Sequence, residues 1–132
     1  MENSVIKPFL KKLGYTEDDY TQQLRLNVGN HNGLLIPDFV LLPNQNGRNI
    51  TAFAIIEAKR SITNEKDLNA ALDQARSYAK QLGTRYSAVA SQEKIWITSI
   101  DSDYTEIKQE WTWGELGNLD DFMNVRLLLE RR

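Results

Sequence analysis

The sequence predicts an α/β domain built on a mixed central sheet flanked by helices. Three observations carry that reading. A long amphipathic segment, 64–83, lies between two short apolar runs, 50–59 and 86–91, and strand, helix, strand is the pattern of a crossover between parallel strands. The runs 34–42 and 50–59 are apolar at nearly every position, as in strands buried on both faces. Two further strand-like runs, 94–100 and 105–113, flank the turn 101–104 and read as a hairpin.

The elements follow in order. Residues 4–15 carry Val5, Ile6, Phe9, Leu10 and Leu13 at helical spacing, with Gly14 as the stop and Pro8 placed in the first turn, where its missing N–H is tolerated. In 19–28, Leu24, Leu26 and Val28 alternate with Gln23, Arg25 and Asn27, which predicts one half-buried strand. A turn over 29–33 leads to the strand 34–42, in which Pro37 marks an opening, a bulge or an edge. A loop over 43–49 precedes the third strand. The next helix has Leu68, Leu72, Ala75, Ala79 and Leu82 on one stripe, Asn64 or Thr63 as N-cap, and Gly83 as terminator. The last segment, 116–130, reads as a helix with Leu119, Phe122, Met123, Leu127 and Leu128 facing inward.

Composition narrows the chemistry. With 132 residues, one domain is expected, and 41% hydrophobic with 26% charged residues is the balance of a globular protein. Cysteine is absent and His31 is the single histidine, so thiolate and His-rich metal sites are excluded. No apolar run reaches the roughly 18 residues of a membrane span, and the first fifteen residues lack a signal-peptide pattern. A cytoplasmic protein without membrane contact is the simplest expectation. The net charge of −2 argues against autonomous tight binding to nucleic acid.

The puzzle is acidic. Asp38 stands just inside one apolar strand, and Glu57 and Lys59 near the end of the next. Side chains two apart on a strand share a face, so Glu57 and Lys59 point the same way, and Asp38 lies beside Glu57 if the strands are neighbours. Two adjacent carboxylates in apolar surroundings demand a lysine, a cation or protonation. Carboxylates with other oxygens suit Mg²⁺, with Mn²⁺ as a substitute. A nearby lysine can orient water and neutralise charge on a phosphate. The set suits phosphodiester hydrolysis.

Pro37-Asp38 followed by Glu57-Ala58-Lys59 resembles the PD-(D/E)xK motif of restriction-endonuclease-like nucleases. Gln74 and Tyr78 on the following helix match the Q-x-x-x-Y motif of some branches, and the order of elements is similar to the N-terminal nuclease domain of type I restriction enzyme R subunits. Trp111, Trp113, Glu115 and Leu116 fit that likeness more loosely. The resemblance implies an αβββαβ core and a single nuclease domain over 1–132, the N-terminal part of a longer R subunit. It also implies Mg²⁺-dependent cleavage of double-stranded DNA, with Asp38, Glu57, Lys59, Gln74 and Tyr78 as catalytic residues. Asp38 and Glu57 would be metal ligands, joined by Glu2. Partners would be a helicase or translocase motor and the modification and specificity subunits. ATP would act only through that motor, because no G-x-x-x-x-G-K-[ST] loop occurs here.

Blander readings stand beside these. Glu57 and Lys59 also read as a surface ion pair, Gln74 and Tyr78 as a polar helix face with a packed tyrosine, and Glu2 as a helix-capping residue. Arg60, Lys66, Arg76 and Lys80 form a candidate DNA-contacting rim or an ordinary solvated set. Glu17, Asp18 and Asp19 read as a solvated turn, His31 as a bystander, and the three tryptophans as packing. Gln22 and Gln23 stand where the family leads one to look for a glutamate. That departure leaves open a non-catalytic module of the same fold that docks a motor or partner subunit.

Overall fold

The computed structural model describes the backbone of residues 2–24, 26–27, 34–35, 37–47, 49–100 and 106–131, and their side chains except at 2–4, 26–27, 34–35 and 100. Val28, His31, Ile36 and the turns at 29–33 and 101–104 lie outside the described residues. Among the described residues, three helices, α1 (Glu2–Lys12), α2 (Glu65–Leu82) and α3 (Leu119–Leu129), flank a six-stranded mixed sheet.

The sheet is formed by β1 (Tyr20–Gln22), β4 (Phe39–Leu41), β7 (Ala54–Ala58), β8 (Tyr86–Ala90), β9 (Lys94–Ile100) and β10 (Glu106–Thr112), paired in that order. All pairs are antiparallel except β7 and β8, the two strands joined through α2. The main elements up to β8 thus run α-β-β-β-α-β, as the sequence predicts. Two minor hairpins sit outside this sheet: β2 (Leu26–Asn27) with β3 (Leu34–Leu35), and β5 (Asn44–Asn46) with β6 (Asn49–Thr51). No helix among the described residues is long and apolar enough to cross a membrane.

Alternation along the buried strands divides the interior into two layers. Phe39, Leu41, Ile56 and Ala88 face a core shared with α1 and α3. Val40, Ile55, Val89 and Trp96 face α2, which supplies Leu72, Ala75, Tyr78, Ala79 and Leu82. The tryptophans pack as predicted: Trp96 and Trp111 are buried, and Trp113 meets the Phe9 ring edge-on while its indole N–H donates to the Ser91 carbonyl at 2.8 Å.

The structure corrects several local expectations. Helix α1 begins at Glu2, so Pro8 lies inside it, where it removes one backbone bond. The single strand predicted over 19–28 is broken at Gln23, whose φ of 52° turns the chain out of the sheet and leaves β2 in a separate hairpin. The strand predicted over 34–42 is likewise divided, with Pro37 and Asp38 between β3 and β4. The third strand is interrupted at Ala52 and Phe53, and the loop over 43–49 is largely a hairpin. In α3, Leu119, Met123 and Leu127 are 72%, 41% and 63% exposed. That helix is leucine-rich on several faces, so its periodicity does not choose one. The choice is made by packing of Val125 and Leu129 and by the Tyr15 hydroxyl, which donates to the Leu129 carbonyl at 2.6 Å. Asp19 is no solvated residue either. It accepts from the Thr16 backbone N–H at 2.7 Å and pairs with Arg131 at 2.9 Å, and these bonds hold its carboxyl below the usual range despite some desolvation.

Helix α2 positions the site described below, and its ends are well defined. The Asn64 side chain accepts from the Asp67 N–H at 2.8 Å, and Gly83 closes the helix at φ 63° in the left-handed region. Asn64→Ala should therefore lower the unfolding free energy by about 1 kcal/mol. Gly83→Ala should cost a similar amount because a Cβ is strained at that φ, about 1 kcal/mol. Urea titrations of the two variants measure both losses.

Candidate active site

The β4–β7 ladder pairs Leu41 with Ala54, Val40 with Ile55, and Phe39 with Ile56. One step further along the same register stand Asp38 and Glu57, directly opposite each other. Proline precedes Asp38 and cannot donate to a ladder. At this point side chains take over from backbone. The Asp38 N–H donates to Glu57 Oε1 at 2.9 Å, and the Ala58 N–H donates to Asp38 Oδ2 at 2.9 Å. Each carboxylate thus accepts from the opposing strand. The Asp38 carbonyl in turn accepts from the Gln23 N–H at 2.9 Å, which ties the end of β1 to the same corner.

Burial makes this arrangement demanding. Glu57 is 2% exposed, while Asp38 is half-buried. Like charges directly opposite on antiparallel strands repel, and hydrogen bonds from amides offset part of the cost of holding them there. The reading of Glu57 as one half of a solvated surface pair does not survive this burial.

Lys59 lies on the same face as Ile55 and Glu57, toward α2. Its backbone N–H donates to the Ala90 carbonyl at 2.8 Å, extending the parallel pairing with β8 by one residue. Its Nζ donates to Gln74 Oε1 at 3.0 Å, and Gln74 Nε2 donates to the Tyr78 hydroxyl at 2.9 Å. Gln74 and Tyr78, four apart, share one helix face. Tyr78 is buried and Gln74 is exposed, so the tyrosine anchors the amide that holds the lysine. All five residues expected to be catalytic thus fall into two adjoining hydrogen-bonded groups. A cleft beside them is lined by Lys59, Ser61, Ile62, Asp67, Ala70, Ala71 and Gln74. Sequence reasoning missed Ser61 and the lining role of Asp67, because an acidic residue in a first helical turn reads simply as a response to the helix dipole.

The remaining candidates divide. Arg60 is exposed next to Lys59, and Lys66 is exposed in the first turn of α2. Arg76 turns away from the cleft. It pairs with Asp73 at 2.8 Å and with Glu106 of β10 at 2.5 Å, and Glu106 foremost raises its pKa. With Lys80 it lines a different cavity. Arg76 and Lys80 thus line a cavity other than the cleft beside Lys59. The side chain of Glu2 lies outside the described residues. Among the described residues, no three His, Cys, Asp or Glu side chains gather as a potential metal site. Gln22 pairs in register with Phe39 beside Asp38, so the corner inspected for a third acid carries amides.

No family model matches the sequence, and no curated protein matches it. Among solved structures, a cryo-EM structure of a DrdV–DNA complex is similar, with a TM-score of 0.53 at 14% identity. The match covers 98% of this chain but 12% of the other, so the chain spans a small part of that protein's length. The likeness concerns the fold. With the α-β-β-β-α-β order it fits a restriction-endonuclease-like architecture.

The carboxylate–amide exchange has a measurable consequence. Glu57→Ala and Asp38→Ala each leave a partly buried N–H without its acceptor, at a cost of about 1 to 2 kcal/mol. Glu57→Gln retains an acceptor oxygen and should lose less. The double alanine variant should lose more than the sum, since either single change already relieves the repulsion between the two acids and the second relieves none. Equilibrium urea unfolding of the four proteins checks this order.

Proposed function

We propose that the chain is a divalent-metal-dependent DNA endonuclease domain that hydrolyses phosphodiester bonds with little sequence preference of its own. One observation carries the reading: Asp38 and Glu57 oppose each other at a strand end, next to a lysine that Gln74 and Tyr78 hold on the same face. The donor set fits a hard cation, since it offers carboxylate oxygens and no soft ligand. Asp38 and Glu57 would hold Mg²⁺ or Mn²⁺, with Glu2 as a candidate third ligand. When bound, the ion supplies charge neutralisation at the phosphate and acidifies water.

The reaction adds water across a phosphate ester. A bond forms from water oxygen to phosphorus, the ester P–O bond breaks, and a proton reaches the departing alcohol oxygen. Lys59 serves this reaction through Nζ. One of its three N–H donors is committed to Gln74, which aims the others. An ammonium so held can orient the attacking water and stabilise negative charge developing on the phosphate oxygens. Gln74 is itself oriented, since donating Nε2 to Tyr78 turns Oε1 toward the lysine. The two residues position Lys59 rather than touch the reacting atoms.

The resemblance extends the proposal to the nuclease domain of a type I restriction enzyme R subunit. It would work beside a helicase or translocase motor and the modification and specificity subunits in host defence, with ATP consumed by the motor alone. The net charge of −2 gives little long-range attraction to DNA, which agrees with delivery by another domain. A second reading, a non-catalytic module that docks a motor or partner, draws support from Gln22 and Gln23 beside Asp38.

Two expected outcomes separate the readings. Millimolar Mn²⁺ should raise the melting temperature of the wild type, because an ion bound only by the folded state stabilises it. Asp38→Asn should abolish that shift. In a plasmid assay the isolated chain should nick slowly and without sequence choice. Lys59→Ala and Lys59→Arg should lose nicking yet keep the Mn²⁺ shift, since an arginine fork does not place its donors as an ammonium does. Absence of both the shift and the nicking in the wild type favours the docking module. Efficient cutting at one defined sequence refutes the dependence on partners.

A further inference from the structure

The two edges of the main sheet are unlike. At one edge β1 is three residues long, and the positive φ of Gln23 turns the chain away from it. Short strands and local breaks of that kind protect an edge from pairing with other chains. At the other edge β10 runs for seven residues, each opposite one residue of β9 with no bulge in the register. It contains neither proline nor glycine. Among the described residues, no strand pairs with its outer side. Residues 106–110 are all exposed, the apolar Ile107 included. A regular strand paired on one side only points alternate N–H and C=O groups outward, ready to accept another strand.

The side chains of β10 decide which strand fits. Alternation divides them between the two faces. Glu106 bonds to Arg76 of α2, so Glu106, Lys108 and Glu110 lie on the α2 face. Ile107, Gln109 and Trp111 lie on the other, where Trp111 enters the core shared with α1 and α3. A strand of arbitrary sequence would meet a lysine set between two glutamates, and edge charges ordinarily discourage such pairing. A second copy of β10, run antiparallel, meets that pattern with its complement.

Symmetry restricts the register. If two copies share a two-fold axis perpendicular to the sheet, each face continues across the seam, and the axis passes through a residue. An axis at Lys108 sets lysine against lysine and, twice, Glu106 against Glu110. An axis at Glu110 sets glutamate against glutamate. An axis nearer either end engages only part of the strand. An axis at Gln109 sets Lys108 against Glu110 twice, Ile107 against Trp111 twice, and Glu106 against Thr112 twice. That register uses all seven residues, and no like charges directly oppose each other in it. Glu110, already bonded to Lys94 of its own chain at 3.1 Å, would then lie between two lysines.

We infer that the outer edge of β10 is the seam of a symmetric dimer, in which two copies of this chain join their six-stranded sheets into one, with Gln109 on the axis. One added ladder is a small interface, so the dimer is weak and depends on concentration. The inference does not depend on the nuclease reading, because β4 and β7, which carry the acidic corner, are separated from β10 by β8 and β9.

The test is sedimentation velocity of the whole chain at low salt, from low micromolar to millimolar concentration. Wild type should pass from monomer to dimer. Lys108→Glu and Glu110→Lys, both exposed changes, should each weaken self-association about tenfold, because two attractive cross-strand pairs become two repulsive ones. Mixing the two variants should restore association, since each supplies the charge the other lacks. A second measurement reads the register directly. The chain has no cysteine, and directly opposed residues of an antiparallel pair have Cα atoms about 4.5 to 5.5 Å apart, within reach of a disulfide. Gln109→Cys should therefore oxidise to a covalent dimer. Lys108→Cys should not, because the two copies of that position are displaced along the strands. A wild type that stays monomeric throughout, with no covalent dimer from Gln109→Cys, overturns the inference and leaves the edge to an extended segment of a different protein. Failure of the mixed variants to associate better than either alone also overturns it, as does cross-linking of Lys108→Cys as readily as Gln109→Cys.

Discussion

The corner where β4 meets β7 is held by an exchange in which each strand's carboxylate accepts the other's amide. Much of the structure follows from satisfying it. Pro37 ends the backbone ladder, and without a substitute the amides of Asp38 and Ala58 would face each other's strands unpaired. Side-chain oxygens fill that role, but at the price of placing two acids in direct opposition. The Gln23 N–H then braces the Asp38 carbonyl as the next rung of the β1–β4 pairing, and the positive φ at Gln23 turns the following residues out of the sheet.

The same constraint fixes the role of α2. Alternation puts Ile55, Glu57 and Lys59 on one face, and α2 covers that face because it carries the chain from β7 to the parallel strand β8. Lys59 therefore finds Gln74 above it, and Gln74 finds Tyr78 one turn later. Tyr78 belongs at once to the apolar layer and to the polar chain. Its ring is anchored among Ala75, Ala79 and their neighbours while its hydroxyl orients the amide. Packing energy from the core is in this way converted into the placement of one ammonium group.

The parts that could be read from the sequence are those set by short-range spacing. Asn64 and Gly83 announce the ends of α2, and the i, i+4 relation of Gln74 and Tyr78 survives any detail of packing. Glu57 and Lys59 share a face by strand geometry alone. Asp38 could be placed beside Glu57 because two consecutive apolar strands most simply pair. What escaped is non-local. Nothing near Arg76 says that Glu106, thirty residues on, will take it out of the basic rim. The orientation of α3 depends on Tyr15 near the other end of the chain. Gln23 carries no glycine-like signal for its positive φ, so the break in the first strand was invisible.

The charges at the acidic corner also weigh between the two functional readings. Asparagine at 38 and glutamine at 57 would keep an acceptor oxygen for each amide and remove the repulsion between like charges. The free chain would lose nothing that the hydrogen bonds require. A surface meant only for docking gains little from buried acids, since a partner must either desolvate them or supply an opposing charge at that corner. A divalent cation gains directly, because two adjacent carboxylates are the stronger ligands the closer they are held. Gln22 and Gln23 pull the other way only in part. An amide carbonyl is a neutral oxygen donor and adds no repulsion of its own. Replacing a third acid by an amide would weaken attraction for the ion while sparing the folded chain a third like charge. The balance of these effects supports a corner that waits for a cation over one that waits only for a protein.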